Sequence, residues 1–259
     1  MLIKVYCIKQ RAGEMMVRKL TKNFVGLIVT LIVLMGLQSS VWANSKIIVI
    51  PHDNRPISFA QTVESAEGLG FEIVVPPENL LGNRTDSGKV EALWQWLFQE
   101  IKTADSVVLS ADSLIYGSLV DSRKHELSLE TLLERTDKFA KLKQLQPNLR
   151  IYVFASIMRS PRSSFGGVEP SYYEQYGPSI FAATALEDKA ETVGLTKVEE
   201  KELLKFKKNV PEAAFADWLE RRSKNFTVNA KLVSLVNNND FVYLALGRDD
   251  NAPFSQTRK

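Results

Sequence analysis

Ile47-Ile48-Val49-Ile50-Pro51-His52-Asp53-Asn54-Arg55-Pro56 places four β-branched residues without interruption before an abrupt polar turn. A strand with one solvated face would alternate. A run apolar at every position suits a strand buried on both faces of a parallel sheet. Four similar runs follow, at Phe71–Val75, Ser106–Leu109, Ile151–Ala155 and Phe241–Leu246. Helical patterns lie between them. Pro56 suits a first helical position, Phe59, Val63 and Ala66 then share a face, and Gly70 is a stop. Val90, Leu93, Trp94, Leu97 and Ile101 form a second stripe. Ser128 can cap a third helix, Thr196 and Glu199 can form a capping box for a fourth, and Pro211 opens a fifth that ends near Asn237–Asn239. Strand–helix alternation predicts an α/β, parallel-stranded fold with right-handed crossovers.

The first 43 residues read differently. Arg18, Lys19 and Lys22 precede an apolar run of 14 residues, Phe24 to Leu37, which Val41-Trp42-Ala43 closes with small residues at the positions signal peptidase reads. The run is short of the roughly 20 residues a membrane span needs. Residues 1–43 are therefore expected to be a signal peptide, the protein to be secreted or periplasmic, and no membrane span to remain after cleavage.

Cleavage also changes the charge. The whole chain carries 33 Lys/Arg against 30 Asp/Glu; the signal holds six bases and one acid, leaving 27 and 29, a net −2. The apparent basicity belongs to targeting, so no nucleic-acid partner is expected. The single cysteine, Cys7, goes with the signal, which excludes disulfide and thiol chemistry from the remainder. The remaining 216 or so residues, 44–259, suffice for one sizeable α/β domain. Because a buried strand needs neighbours and a covering helix, and none follows the fifth run, they are read as the N-terminal part of a longer domain.

Polar residues gather after the strands: Pro51 to Pro56 after the first, Ser110 to Leu119 with Ser122 and Arg123 after the third, Ser156 to Pro161 after the fourth, and Arg248-Asp249-Asp250 after the fifth. Carboxyl ends of parallel strands share one face, where α/β proteins place their sites. Adjacent carboxylates push each other's pKa values apart, so Asp249 and Asp250, with Asp112, are the candidate acid/base groups. Helix caps or turns are the structural alternative for each aspartate. Asp53, Arg55, Tyr116, Arg123 and Arg159 are candidate substrate-binding residues, the arginines suiting an anionic or polyhydroxyl ligand or else pairing with these same aspartates. His52 is one of two histidines and has no partner nearby in sequence; it reads as bystander more readily than general base.

No metal centre or cofactor is expected. Two separated histidines make no zinc cluster, and the carboxylate spacing lends no specific support to Mg²⁺ or Ca²⁺. Phosphate-cradling glycine loops and a nucleophile elbow are absent. Tyr172, Tyr173 and Tyr176 follow the loop Ser160–Pro170 and could stack on sugars, though packing beneath that loop is the simpler reading. Asn83-Arg84-Thr85 and Asn225-Phe226-Thr227 match glycosylation acceptors by a very short pattern.

The clusters resemble a bacterial family, domain of unknown function 4127. The matching stretches are Ile48 to Pro56, Val75 to Gly82, Leu109 to Arg123, Ile151 to Pro161, Tyr172 to Gly177 and Leu246 to Pro253. They run in the family's order from residue 46 onward. A second Asp is usual where Asn54 stands and a Gln where Arg248 stands, so this chain departs from the pattern on two loops. Family members continue further, which agrees with an incomplete domain. Motifs after nearly every strand favour an incomplete (β/α) barrel over an open doubly wound sheet. The resemblance implies one shared site and no assigned reaction.

Carboxylates, arginines, tyrosines and an exported location together point to a hydrolase acting on carbohydrate, with a small-molecule or glycan ligand. A non-catalytic glycan- or solute-binding protein and a truncated fragment without function are the alternatives. The oligomeric state is not written in these patterns.

Overall fold

The computed structural model describes residues 45–163, 166–248 and 252–258. The signal reading of residues 1–43 lies outside the described residues. Five strands, β1 (Lys46–Ile50), β2 (Glu72–Val74), β3 (Ser106–Ser110), β4 (Arg150–Ser156) and β5 (Tyr243–Gly247), form one sheet in the order β2-β1-β3-β4-β5. Every pairing is parallel. The α/β class and its parallel strands are as the apolar runs predicted. The sheet is open, with no barrel closure among the described residues. From β1 the chain moves outward to β2, then returns past β1 to build β3, β4 and β5 on the other side. The strand order therefore reverses between β1 and β3, the place in open α/β sheets where ligand sites are usually set.

Among the described residues seven α-helices connect and cover the sheet: α1 (Ala60–Glu67), α2 (Val90–Glu100), α3 (Asp121–Lys124), α4 (Leu129–Leu145), α5 (Tyr173–Thr192), α6 (Lys197–Lys208) and α7 (Glu212–Asn237). Local chemistry explains several boundaries. The Ser128 hydroxyl accepts a hydrogen bond from Thr131 N at the start of α4. Thr196 and Glu199 form a reciprocal capping box on α6. Pro211 stands immediately before α7, where its missing N–H costs nothing.

Alternate strand residues Ile48, Ile50, Val107, Leu109, Ile151 and Val153 are fully or almost fully buried, and they pack with Leu93, Trp94 and Leu97 of α2, Leu132 and Phe139 of α4, and Leu232 and Leu235 of α7. β4 alternates buried and half-buried positions along its length, so its second face is less completely covered than the continuous apolar run implied. A second cluster joins α5 to α7 through Met158, Tyr173, Ile180 and Trp218, the Tyr173 and Trp218 rings lying 4.5 Å apart. Tyr173 thus packs in the interior, as the simpler reading of the tyrosines held.

Candidate functional site

The loop after β1 is tied to the segment after β3 by main-chain contacts. Ser113 Oγ donates to Pro51 O at 2.5 Å, and Leu119 N donates to His52 O at 3.2 Å. A third segment joins them, with Asn54 N donating to Gly82 O at 3.0 Å. Gly82 approaches so closely that a Cβ there would sit 2.7 Å from Ser118 Cβ and 2.8 Å from Gly117 O. Gly117 itself has φ of 118°, a conformation L side chains rarely adopt. These segments therefore meet backbone to backbone.

His52 projects from this frame. Its ring lies edge-on to Phe154 of β4, with centroids 4.6 Å apart. His52 Nδ1 is 3.0 Å from Ser110 Oγ, a hydrogen bond, and 3.0 Å from Asp112 Oδ2. The carboxylate oxygen is out of line for a hydrogen bond to that nitrogen, and Asp112 Oδ2 is buried with no other partner. The contact is thus electrostatic in the first place. Both contacts are made at Nδ1, so Nε2 is the ring nitrogen that neither residue occupies. The Asp112 side chain is 1% exposed and that of His52 25%, so the acid is sealed in while the imidazole reaches solvent. Ser110, Asp112 and His52 do not form a nucleophilic triad, because serine and aspartate meet the same ring nitrogen.

Asp53 is fully buried and committed to Arg55: Oδ1 accepts from Arg55 N at 3.1 Å, and Oδ2 from Nε at 3.0 Å and Nη2 at 2.6 Å. This bond holds the Arg55 guanidinium more firmly protonated than usual, while burial opposes it. After β4, Arg159 Nε donates to Glu169 Oε1 at 2.7 Å. The same oxygen is 3.6 Å from Arg123 Nη1. Arg123 and Glu169 are 9% and 1% exposed at their side chains, so Arg123 serves the interior, whereas Arg159, at 27%, reaches outward.

Tyr116 belongs to the π-helical turn Asp112–Tyr116, but it lines a different cavity of about 570 Å³ with His125 and Arg135. Its hydroxyl is fully buried; burial first and then the Asp112 charge raise its pKa, and the nearby Asn225 side chain opposes them. The His125 ring lies 4.9 Å away, its pKa lowered to about 4 by burial and by Arg221 and Lys224. Asp249 and Asp250 lie outside the described residues. Of the sequence candidates, Asp53, Arg55, Asp112 and Arg159 therefore sit at the ends of β1, β3 and β4, and Arg123 and Tyr116 stand behind them. Among the described residues no group of three or more His, Cys, Asp or Glu side chains is placed to hold a metal.

Two groups gain importance in the structure. His52 is in contact with residues 58 and 60 positions later, a pairing no local pattern reveals. Glu169 sits alone in a Gly/Pro-rich loop and yet is the buried partner of two arginines. Asn225 is also informative: it is 3% exposed, donates to Ser156 O at 3.0 Å and accepts from Met158 N at 3.0 Å, so it braces the loop after β4 and offers no glycosylation surface.

A sequence model of the family described as protein of unknown function (DUF4127) matches residues 47–259. No curated protein and no solved structure matches the chain.

Proposed function

The chain belongs to the DUF4127 family, whose match spans most of its length, and from that premise we propose that it is a hydrolase acting on carbohydrate at the crevice beyond β1 and β3. The observation that carries this reading is His52, with Asp112 Oδ2 and Ser110 Oγ both 3.0 Å from Nδ1 and its ring at the surface of the crevice. Such an imidazole is suited to general base catalysis through Nε2. In the reaction, water gives a proton to His52 Nε2 as its oxygen bonds to the sugar's anomeric carbon. The glycosidic bond breaks, and the departing oxygen takes a proton from a carboxylic acid. Asp249 and Asp250, which follow β5 in sequence, are the groups proposed for that acid.

The test is a screen of the intact protein against envelope and plant glycans, followed by His52→Ala. A general base contributes on the order of 10²–10⁴-fold, so turnover should fall by that factor with little change in melting temperature. Full activity in His52→Ala would remove it from the mechanism. Glycan binding without turnover in any assay would favour the binding-protein alternative.

Export belongs to the same proposal. Cleavage after Ala43 would make Asn44 the first residue of the periplasmic or secreted form. N-terminal sequencing that began upstream of Leu37 would dismiss that site.

A further inference from the structure

We propose that a cleft walled by Tyr172 and Tyr176 is a subsite for an uncharged sugar ring, so that the ligand of this protein is an oligosaccharide rather than a single sugar. The proposal rests on the reading of the chain as carbohydrate-active, and adds a place of contact that His52 does not line.

The cleft holds about 640 Å³, within the roughly 300–1,000 Å³ of pockets that take small ligands. It is built from the connections that leave β3 and β4 and from the start of α7. Its Lys124 follows Arg123 and its Pro170 follows Glu169, and Arg123 Nη1 stands 3.6 Å from Glu169 Oε1. The cleft therefore belongs to the carboxyl side of the sheet, where His52 also stands. Pro170, Pro211 and Ala213 add to its apolar lining.

Tyr176 N donates to Tyr172 O at 2.9 Å, so the two side chains stand one helical turn apart on the same side of the chain. Both are half-buried. They pack against the Met158–Tyr173–Trp218 cluster, and each also lines the cleft. Tyr172 is pinned by its hydroxyl, which donates to Asp217 Oδ2 at 2.6 Å; Arg221 Nε donates to the same oxygen at 2.6 Å. A ring fixed in this way loses little freedom when a ligand stacks on it. Asp217 Oδ1 takes part in neither bond, in a side chain 37% exposed. Lys124 Nζ donates to Gly167 O at 2.7 Å, a contact that occupies one of its three N–H groups.

This mixture suits a pyranose. The C–H faces of the sugar stack on aromatic rings, and its hydroxyls both donate to a carboxylate and accept from an ammonium group. A wholly apolar ligand would cover Asp217 Oδ1 without pairing it. An anion would meet Asp217 and Glu126 in the lining, and a cation would meet Lys124 and Arg221.

Isothermal titration of the intact protein with cellohexaose, xylohexaose, maltohexaose and N-acetylchitohexaose, and with a polyproline peptide, tests the cleft without any need for turnover. At least one hexasaccharide should bind, and its affinity should change by less than about twofold as NaCl rises from about 0.05 M to about 0.5 M, because the ligand is uncharged. Tyr176→Ala removes a stacking face and should weaken that binding at least about fivefold. Ala213 is exposed, so Ala213→Arg obstructs the cleft without entering the core and should abolish binding. That second variant answers the question if Tyr176→Ala fails to fold. No binding of any hexasaccharide, binding unchanged in the folded variants, or binding of the polyproline peptide alone overturns the subsite. Sugar binding lost in the variants, with no glycan hydrolysed by the wild type, would sink the hydrolase reading and leave the subsite standing. Hydrolysis of a hexasaccharide with equal kcat/KM in the wild type and the variants would do the reverse.

Discussion

At the ends of β1 and β3, Asp53, Ser110, Asp112 and Ser113 are buried at 1% exposure or less, whereas at β5 and the outer side of α7, Tyr243 is 60%, Phe226 64% and Val233 40% exposed. The informative residues in a folded chain are buried polar ones and contiguous exposed apolar ones, and this molecule keeps the two in separate places. In the first region nearly every buried polar group has a stated partner: Asp53 has Arg55, Ser113 has Pro51 O, Ser110 has His52. Asp112 Oδ2 is the exception, a buried oxygen without an aligned hydrogen bond that lies 3.0 Å from His52 Nδ1. Burying polar groups in this way costs stability unless they are paired, which is why the geometry here is so closely specified. In the second region, Leu219, Phe226, Val233 and Leu246 line a cavity of about 460 Å³ beside the outer strand of the described sheet. Here the surface carries apolar area and few demands on geometry.

Three substitutions probe that contrast. The largest effect belongs to the core beneath α2, where Trp94 is 1% exposed, meets the Phe139 ring edge-on and donates from Nε1 to Leu114 O at 2.8 Å. Trp94→Ala should cost about 3–5 kcal/mol in chemical denaturation, through lost burial and an orphaned carbonyl. A cost near that of a surface substitution would mean that the core around α2 is loosely packed.

The second effect depends on pH. His125 is buried and its pKa is lowered to about 4 from an ordinary 6.5, with burial the largest cause. The unfolded chain then binds the proton more readily than the folded one between these values. This contribution is complete above about pH 6.5 and is lost as pH falls through about 4. Its size is on the order of 3 kcal/mol. Stability measured against pH for the wild type and for His125→Gln should therefore diverge within that window. Parallel curves would show that His125 protonates equally well in both states. The smallest effect is expected at the open edge: Phe226→Ser should change stability by less than about 0.5 kcal/mol. A loss above about 2 kcal/mol would reveal that this face is covered in solution, and the contrast between the two regions would fail.

The parts of the fold legible in the sequence are those governed by near neighbours. Ser128, the Thr196–Glu199 pair and Pro211 announce α4, α6 and α7 because caps act over three or four residues. α5 is hidden because Gly177-Pro178 stands inside it, a pair that reads as a break. The helix tolerates the pair because Gly177 leaves room for the Tyr173 ring, to which an added Cβ would approach within 2.5 Å. Strand order is a long-range property, so the apolar runs predicted the strands and left the reversal at β1 invisible. The site shares that limit. Polar clusters after β1, β3 and β4 are plain in the sequence, but the partners of His52 and the two arginines on Glu169 are set by the sheet order.

The close approach of Gly82 to Gly117 carries a consequence for how such a site can change over generations. The loops after β1 and β3 are latched through main-chain groups, through the Ser113 hydroxyl and through the absence of side chains at Gly82 and Gly117. On the function proposed above, a substitution at His52 would change reactivity while those latches stay closed. At Gly82 even a methyl group would pry three segments apart at once. The scaffold is therefore brittle at a few silent glycine positions, whatever the polar side chains around them come to do.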